Sequence, residues 1–134
     1  MIEFVQDDGG RSDAGFKGVT GDCVVRAIAI ASGKPYKEVY QAISAIVGKG
    51  RSPRDGAFRK EFHPYILSLG FTWVPTMKVG QGCTVHLRSD ELPSGRLIVR
   101  VSKHIAAVVD GKLRDNHDSS RGGSRCVYGY YIKS

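Results

Sequence analysis

The apolar positions change their spacing twice along the chain. Residues 1–21 are rich in Gly, Asp and Ser with little periodicity, which predicts an extended arm or loop that wraps the fold. The segment DCVVRAIAIASG then offers Asp22 as an N-cap, an apolar body through Val24, Val25, Ala27, Ile28 and Ala31, and Gly33 as a stop. Its apolar positions run nearly all round, so this helix is expected to be buried. A second helix is predicted from Pro35, with Tyr36, Val39, Tyr40, Ile43, Ile46 and Val47 at three- and four-residue spacing until Gly48. GKGRSPRDG reads as a basic Gly/Pro loop, and FRKEFHPYILSLG as a third helix entered or kinked at Pro64 and ended by Gly70.

Beyond Gly70 the pattern shifts to strands: FTWVP, TVHL, RLIVRV, HIAAVV, KLRDN and RCVYGYYI. Ser89 to Leu92 reads as one capped helical turn before Pro93, and Asp118 to Gly123 as a polar loop. Helices first and strands afterwards predict a single α+β domain over residues 1–134, with N-terminal helices packed on a C-terminal antiparallel β-sheet.

Within HIAAVVDGKLRDNHD, Asp110-Gly111 between two β-rich runs is a two-residue hairpin signal. Pairing Val109 with Lys112 sets the register: Val108 faces Leu113, Ala106 faces Asp115, and His104 faces His117. These six residues then share one side of the ribbon, with His104 and Asp115 as diagonal neighbours, while Asn116 points away. Ala106, Val108 and Leu113 mark that side as apolar, which makes its histidine and aspartate unusual.

Composition narrows the class. The content of 41% hydrophobic residues in 134 is enough for one core. No apolar run approaches a membrane span, and MIEFVQDDGG lacks the features of an export signal, so a soluble, cytoplasmic protein that does not act at a membrane is expected. Three cysteines at wide spacings, Cys23, Cys83 and Cys126, argue against a disulfide scaffold and fit a reducing compartment with free thiols. The formal charge of +7 keeps an acidic partner or nucleic acid in view, although the charges are scattered and no helix-turn-helix or RNA-binding signature accompanies them.

Cys23 falls at the first turn of the first predicted helix. Unpaired N–H groups and the positive end of the helix dipole favour the thiolate there. An imidazole at His104, oriented by the Asp115 carboxylate, supplies a base for it. No cofactor or metal is required by such chemistry. The same ribbon carries a second option, in which His104, Asp115 and His117 bind a metal with Cys23 or Cys126 as fourth ligand. His63, His86, Cys83 and Cys126 are otherwise assigned no chemistry.

The order Cys23, His104, Asp115, with the thiol on a helix and its partners on strands, resembles the papain-like cysteine peptidase superfamily. The segments TGDCVVRAIAIASGKPYKEVY and SGRLIVRVSKHIAAVVDGKLRDNHDSSRGGSRCVYGYY are also similar to a group of small phage and prophage proteins, over most of the chain. The resemblance implies a papain-like fold, a Cys–His–Asp triad, a protein or peptide substrate, and the cytoplasm of a bacterial host. Papain-like peptidases place a Gln about six residues before the nucleophile as oxyanion donor. Lys17 stands there in this chain, and Gln81 is a second candidate donor from a loop. The sequence after Cys23 lacks the Cys-Trp pair of papain itself, so the resemblance is to the superfamily and not to that branch. A non-catalytic phage-type interaction protein on the same scaffold, binding a host protein or nucleic acid, is the alternative expectation, since fold does not fix function.

Overall fold

The computed structural model describes residues 2–15, 22–48, 59–77, 80 and 82–133. Its helices are α1 (Cys23–Ser32), α2 (Tyr36–Val47) and α3 (Arg59–Ser68), and its strands are β1 (Glu3–Gln6), β2 (Thr72–Pro75), β3 (Arg96–Val101), β4 (His104–Val109), β5 (Lys112–Asp115) and β6 (Val127–Lys133). The six strands form one sheet in the order β1-β5-β4-β3-β6-β2. Pro64 lies inside α3 and does not open it, the helix beginning at Arg59. The basic loop from Lys49 falls outside the described residues as far as Phe58.

The α+β class is as expected, but the sheet is mixed and not antiparallel. Part of the N-terminal arm forms β1, which pairs in parallel with β5, Phe4 facing Leu113 and Gln6 facing Asp115. The amide of Asp7 then donates to the Asp115 carbonyl at 2.8 Å, and the Gln6 side chain to the Asn116 carbonyl at 2.9 Å. Sequence periodicity missed this strand because four residues with no fully buried position carry no alternation to read.

The central strands are apolar on both faces. Ile98, Ile105, Ala107 and Tyr131 join α1, α2 and α3 in one buried cluster. Leu97, Val99, Val101, Ala106, Val108, Leu113 and Val127 form a second with Ile2, Leu87 and Leu92. Burial on both sides explains why RLIVRV and HIAAVV read as near-continuous hydrophobic runs. Each such Leu, Ile or Val contributes about 1.5–3 kcal/mol relative to an exposed position, so α1, which buries Val25, Ile28 and Ala31 completely, is anchored mainly by packing on the sheet.

The second face is covered by the segment leading to β3. TVHL does not form a strand there. It makes a single bridge, His86 to Cys126, before the chain turns with Arg88 N–H donating to the His86 carbonyl. Ser89 to Leu92 forms turn and bend without a helix, and the loop after Asp118 includes a short 3-10 turn, Arg121–Gly123. The expectation of three free thiols is corrected as well: Cys83 and Cys126 are joined in a disulfide, and Cys23 is the free cysteine. Spacing could not reveal this pair, because its proximity arises only when the Leu87 segment docks beside β6. On the other side of β6, Gly129 lies under Trp73, where a Cβ would sit 2.3 Å from the indole ring.

Candidate active site

Two hairpins bring the site together. Asp110 and Gly111 have φ of 51° and 79°, the left-handed pair that a tight two-residue turn demands, and Val109 pairs with Lys112 as the sequence predicts. The next pairs are Val108 with Leu113 and Ala107 with Arg114, where the described ladder between β4 and β5 ends. At the other end of β4, His104 pairs with Val101 across a two-residue turn. His104 and Asp115 therefore lie past the paired part of their own hairpin. The expected facing pairs Ala106–Asp115 and His104–His117 are not formed as ladder pairs.

The expected diagonal contact is nevertheless present. His104 Nε2 lies 2.6 Å from Asp115 Oδ2. The other carboxylate oxygen, Oδ1, accepts the Asn116 backbone N–H at 2.7 Å and has the Arg26 Nη2 at 3.7 Å. With both oxygens held and only 3% exposure, the carboxylate has little freedom to rotate. Nε2 is occupied by Asp115, which leaves Nδ1 as the imidazole nitrogen open to the thiol. Cys23, the first residue of α1, lies close enough to this ring to influence its protonation. Burial alone would lower the His104 pKa, but the hydrogen bond and charge of Asp115, with a further contribution from Cys23, outweigh it and push the ring up to about 9. The structure thus brings together Cys23, His104 and Asp115. Lys17 and Gln81, the two candidate oxyanion donors, lie outside the described residues.

Asp22 does not do what its sequence position suggested. Its side chain makes no cap bond to α1. The carboxylate is fully buried and turned instead toward Arg26, one turn along the same helix, with the Tyr36 hydroxyl donating to its second oxygen and Arg11 Nε at 3.1 Å. The demand that decides this is electrostatic: Arg26 is itself 5% exposed, and a buried guanidinium needs a carboxylate more than a helix end needs a cap. The N-cap side chain therefore leaves the first turn of α1 beside Cys23 uncapped. The burial and the neighbouring Asp22 charge also raise the Tyr36 pKa, holding its hydroxyl protonated as a donor.

Arg26 was missed at the level of sequence. A signal existed, since it is the one charged residue in an otherwise apolar helical segment, three positions after Cys23 and four after Asp22. It joins Asp22, the neighbour of the thiol, to Asp115, the partner of the imidazole. The two ends of the constellation are thereby tied through one side chain.

His117 stands at the rim. Its ring centroid is 5.3 Å from that of His104, and its Nδ1 donates to Asn116 Oδ1 at 2.7 Å. Ligand atoms of His104, Asp115 and His117 all lie within 4.8 Å of one another, while the sulfur of Cys126 is consumed by its disulfide and offers no fourth ligand. His63 and His86 are elsewhere: His63 Nδ1 is 2.6 Å from the Tyr131 hydroxyl, and His86 Nδ1 is 3.2 Å from Glu91. Among the described residues, no helix is long and apolar enough to cross a membrane. Comparison with protein-family models, with curated proteins and with solved structures finds no match.

Proposed function

We propose that this protein is a thiol-dependent hydrolase of the cysteine-peptidase type, acting on an amide, isopeptide or thioester bond. The observation that carries the reading is the Asp115-bound imidazole of His104, whose pKa is pushed up to about 9 by Asp115 and Cys23. A ring so held is an imidazolium at neutral pH, and an imidazolium beside a helix N-terminal cysteine favours the thiolate, the nucleophilic form.

In the first step the Cys23 sulfur attacks the carbonyl carbon, forming a C–S bond as the carbonyl π pair moves onto oxygen. The Cys23 backbone N–H is the oxyanion donor that the chain itself provides at that point, with Lys17 or Gln81 as the second. Collapse breaks the bond to the leaving group, which takes its proton from His104. The neutral imidazole then removes a proton from water, hydroxide attacks the acyl–sulfur carbonyl, and the C–S bond breaks to restore the thiolate. Asp115 holds the ring orientation through both proton transfers. The substrate is a protein or peptide, the phage-type resemblance suggests a bacterial cytoplasm as the setting, and the chemistry needs neither metal nor cofactor.

Acyl transfer to the thiol tests this reading. The full chain, incubated with a panel of small aryl amides, thioesters and isopeptide-linked peptides, is expected to acquire an acyl mass on Cys23 that water later discharges. His104→Ala should acquire none at a comparable rate. A wild-type protein that stays unacylated by the whole panel would favour the alternative, a non-catalytic binder whose charge of +7 recruits an acidic protein or nucleic acid.

A further inference from the structure

His117 takes no part in the proposed triad, yet its ring lies beside that of His104. Because Nδ1 donates to Asn116 Oδ1, the neutral ring carries its lone pair on Nε2, the arrangement in which an outer hydrogen bond orients a metal-ligating histidine. Asp115 is supported in the same way, Oδ1 being held by the Asn116 N–H while Oδ2 faces His104. We propose that His104, Asp115 and His117 form a binding site for a zinc-class divalent ion, which enters between the His104 ring and the Asp115 carboxylate and blocks the triad.

Two imidazole nitrogens and one carboxylate oxygen are a donor set suited to zinc, with ligand bonds of about 2.0–2.2 Å. Ligands at that radius on a tetrahedron are separated by about 3.3 Å. The three ligand atoms already lie within 4.8 Å of one another, so the shorter contact of 2.6 Å must open and the longer separations close by side-chain rotation. His117 is exposed and can make that movement, whereas Asp115 is held in place. Solvent access on the His117 side supplies both the entry path and a water for the fourth position. The ion takes the Nε2 proton's place, and the imidazole so fixed can no longer shuttle protons for Cys23. This site is separate from the thiol, which faces the other ring nitrogen, and its existence does not depend on the hydrolase reading.

The test uses the whole chain and Zn2+ alone. Titration followed by calorimetry and by imidazole NMR should give one bound ion, with perturbation of His104 and His117 but not of His63 or His86, the other two of the four histidines. His117→Ala should weaken binding at least tenfold, and Cys23→Ser should leave it within a few-fold. Absence of binding, perturbation centred on His86 beside Glu91, or affinity unaffected by His117→Ala would each overturn the site. A site lost on replacing Cys23 would also overturn it, because the ion would then be a thiolate complex. Failure of acyl transfer with zinc binding intact would instead count against the hydrolase reading alone.

Discussion

His104 Nε2 and Asp115 Oδ2 meet at 2.6 Å although the described ladder between their strands ends before either residue. Their contact is set by what surrounds them: the Val101 turn on one side of His104, and β1, the Asn116 N–H and Arg26 on Asp115. In the proposed triad Asp115 has the role of orienting group, and the expected consequences can be separated from those of its neighbour.

Asp115→Ala should lower the rate of any Cys23-dependent reaction by orders of magnitude, the effect expected when an imidazole loses its tautomer and orientation. Asn116→Ala should stay within a few-fold of wild type, since Asn116 supports Asp115 through its backbone N–H, which the substitution keeps. Initial rates of acyl transfer or thiol alkylation on both folded variants check this. The reverse ranking would assign the orienting role to Asn116.

Arg26→Gln should destabilise the fold by about 3–5 kcal/mol, because it leaves Asp22 and Asp115 buried without their shared cation. Arg26→Lys should recover part of the loss, for one ammonium cannot span both carboxylates as the guanidinium does. Denaturant midpoints measure it. A change within about 0.5 kcal/mol, typical of surface sites, would contradict the burial described for this network.

The His104 charge should appear in the pH dependence of stability. Its folded pKa of about 9 lies above its ordinary value of 6.5, so its contribution is fully present below pH 6.5 and is lost as pH rises through about 9. The difference in unfolding free energy between wild type and His104→Gln should therefore be largest near pH 6 and shrink toward pH 9.5. A difference that grows with pH would reverse the sign of the linkage.

Quantifying thiols tests the pairing of Cys83 and Cys126. The protein, unfolded without reductant, should expose one reactive thiol, that of Cys23, and three after reduction. Closing a loop of sequence separation 43 corresponds to about 4 kcal/mol in the chain-entropy description, so Cys83→Ala with Cys126→Ala should lower the denaturation midpoint clearly. Three thiols before reduction would leave the Leu87 segment held by packing and by its backbone hydrogen bonds to Arg125 and Val127.

Local patterns made the three helices, the central strands and the Asp110-Gly111 turn legible. The helical spacing from Tyr36 to Val47, the run from Arg96 to Val101 and the left-handed turn pair each depend on residues close in sequence. The placement of His104 and Asp115 on one short hairpin was legible for the same reason, although the ladder stops before either residue. What stayed hidden depends on distant segments. β1 gains its meaning only against β5, Cys83 meets Cys126 only when a loop folds over the second face, and Asp22 abandons its cap because Arg26, Tyr36 and Arg11 converge on it.

Activation of Cys23 by His104 is the central claim, and the alkylation rate of Cys23 measures it most directly, because the disulfide leaves this residue as the free thiol. Iodoacetamide labelling of native wild type and His104→Ala, followed by peptide mapping across pH 5–9.5, compares one sulfur with and without its imidazolium. At pH 6–7 wild-type Cys23 should react faster than a cysteine in an unstructured peptide, whose thiolate fraction is small below a pKa of about 8.5. His104→Ala should lose most of that advantage and recover it only as pH rises. Equal rates for the two proteins throughout the range, with both folded, would contradict the activation of Cys23 and the hydrolase built upon it.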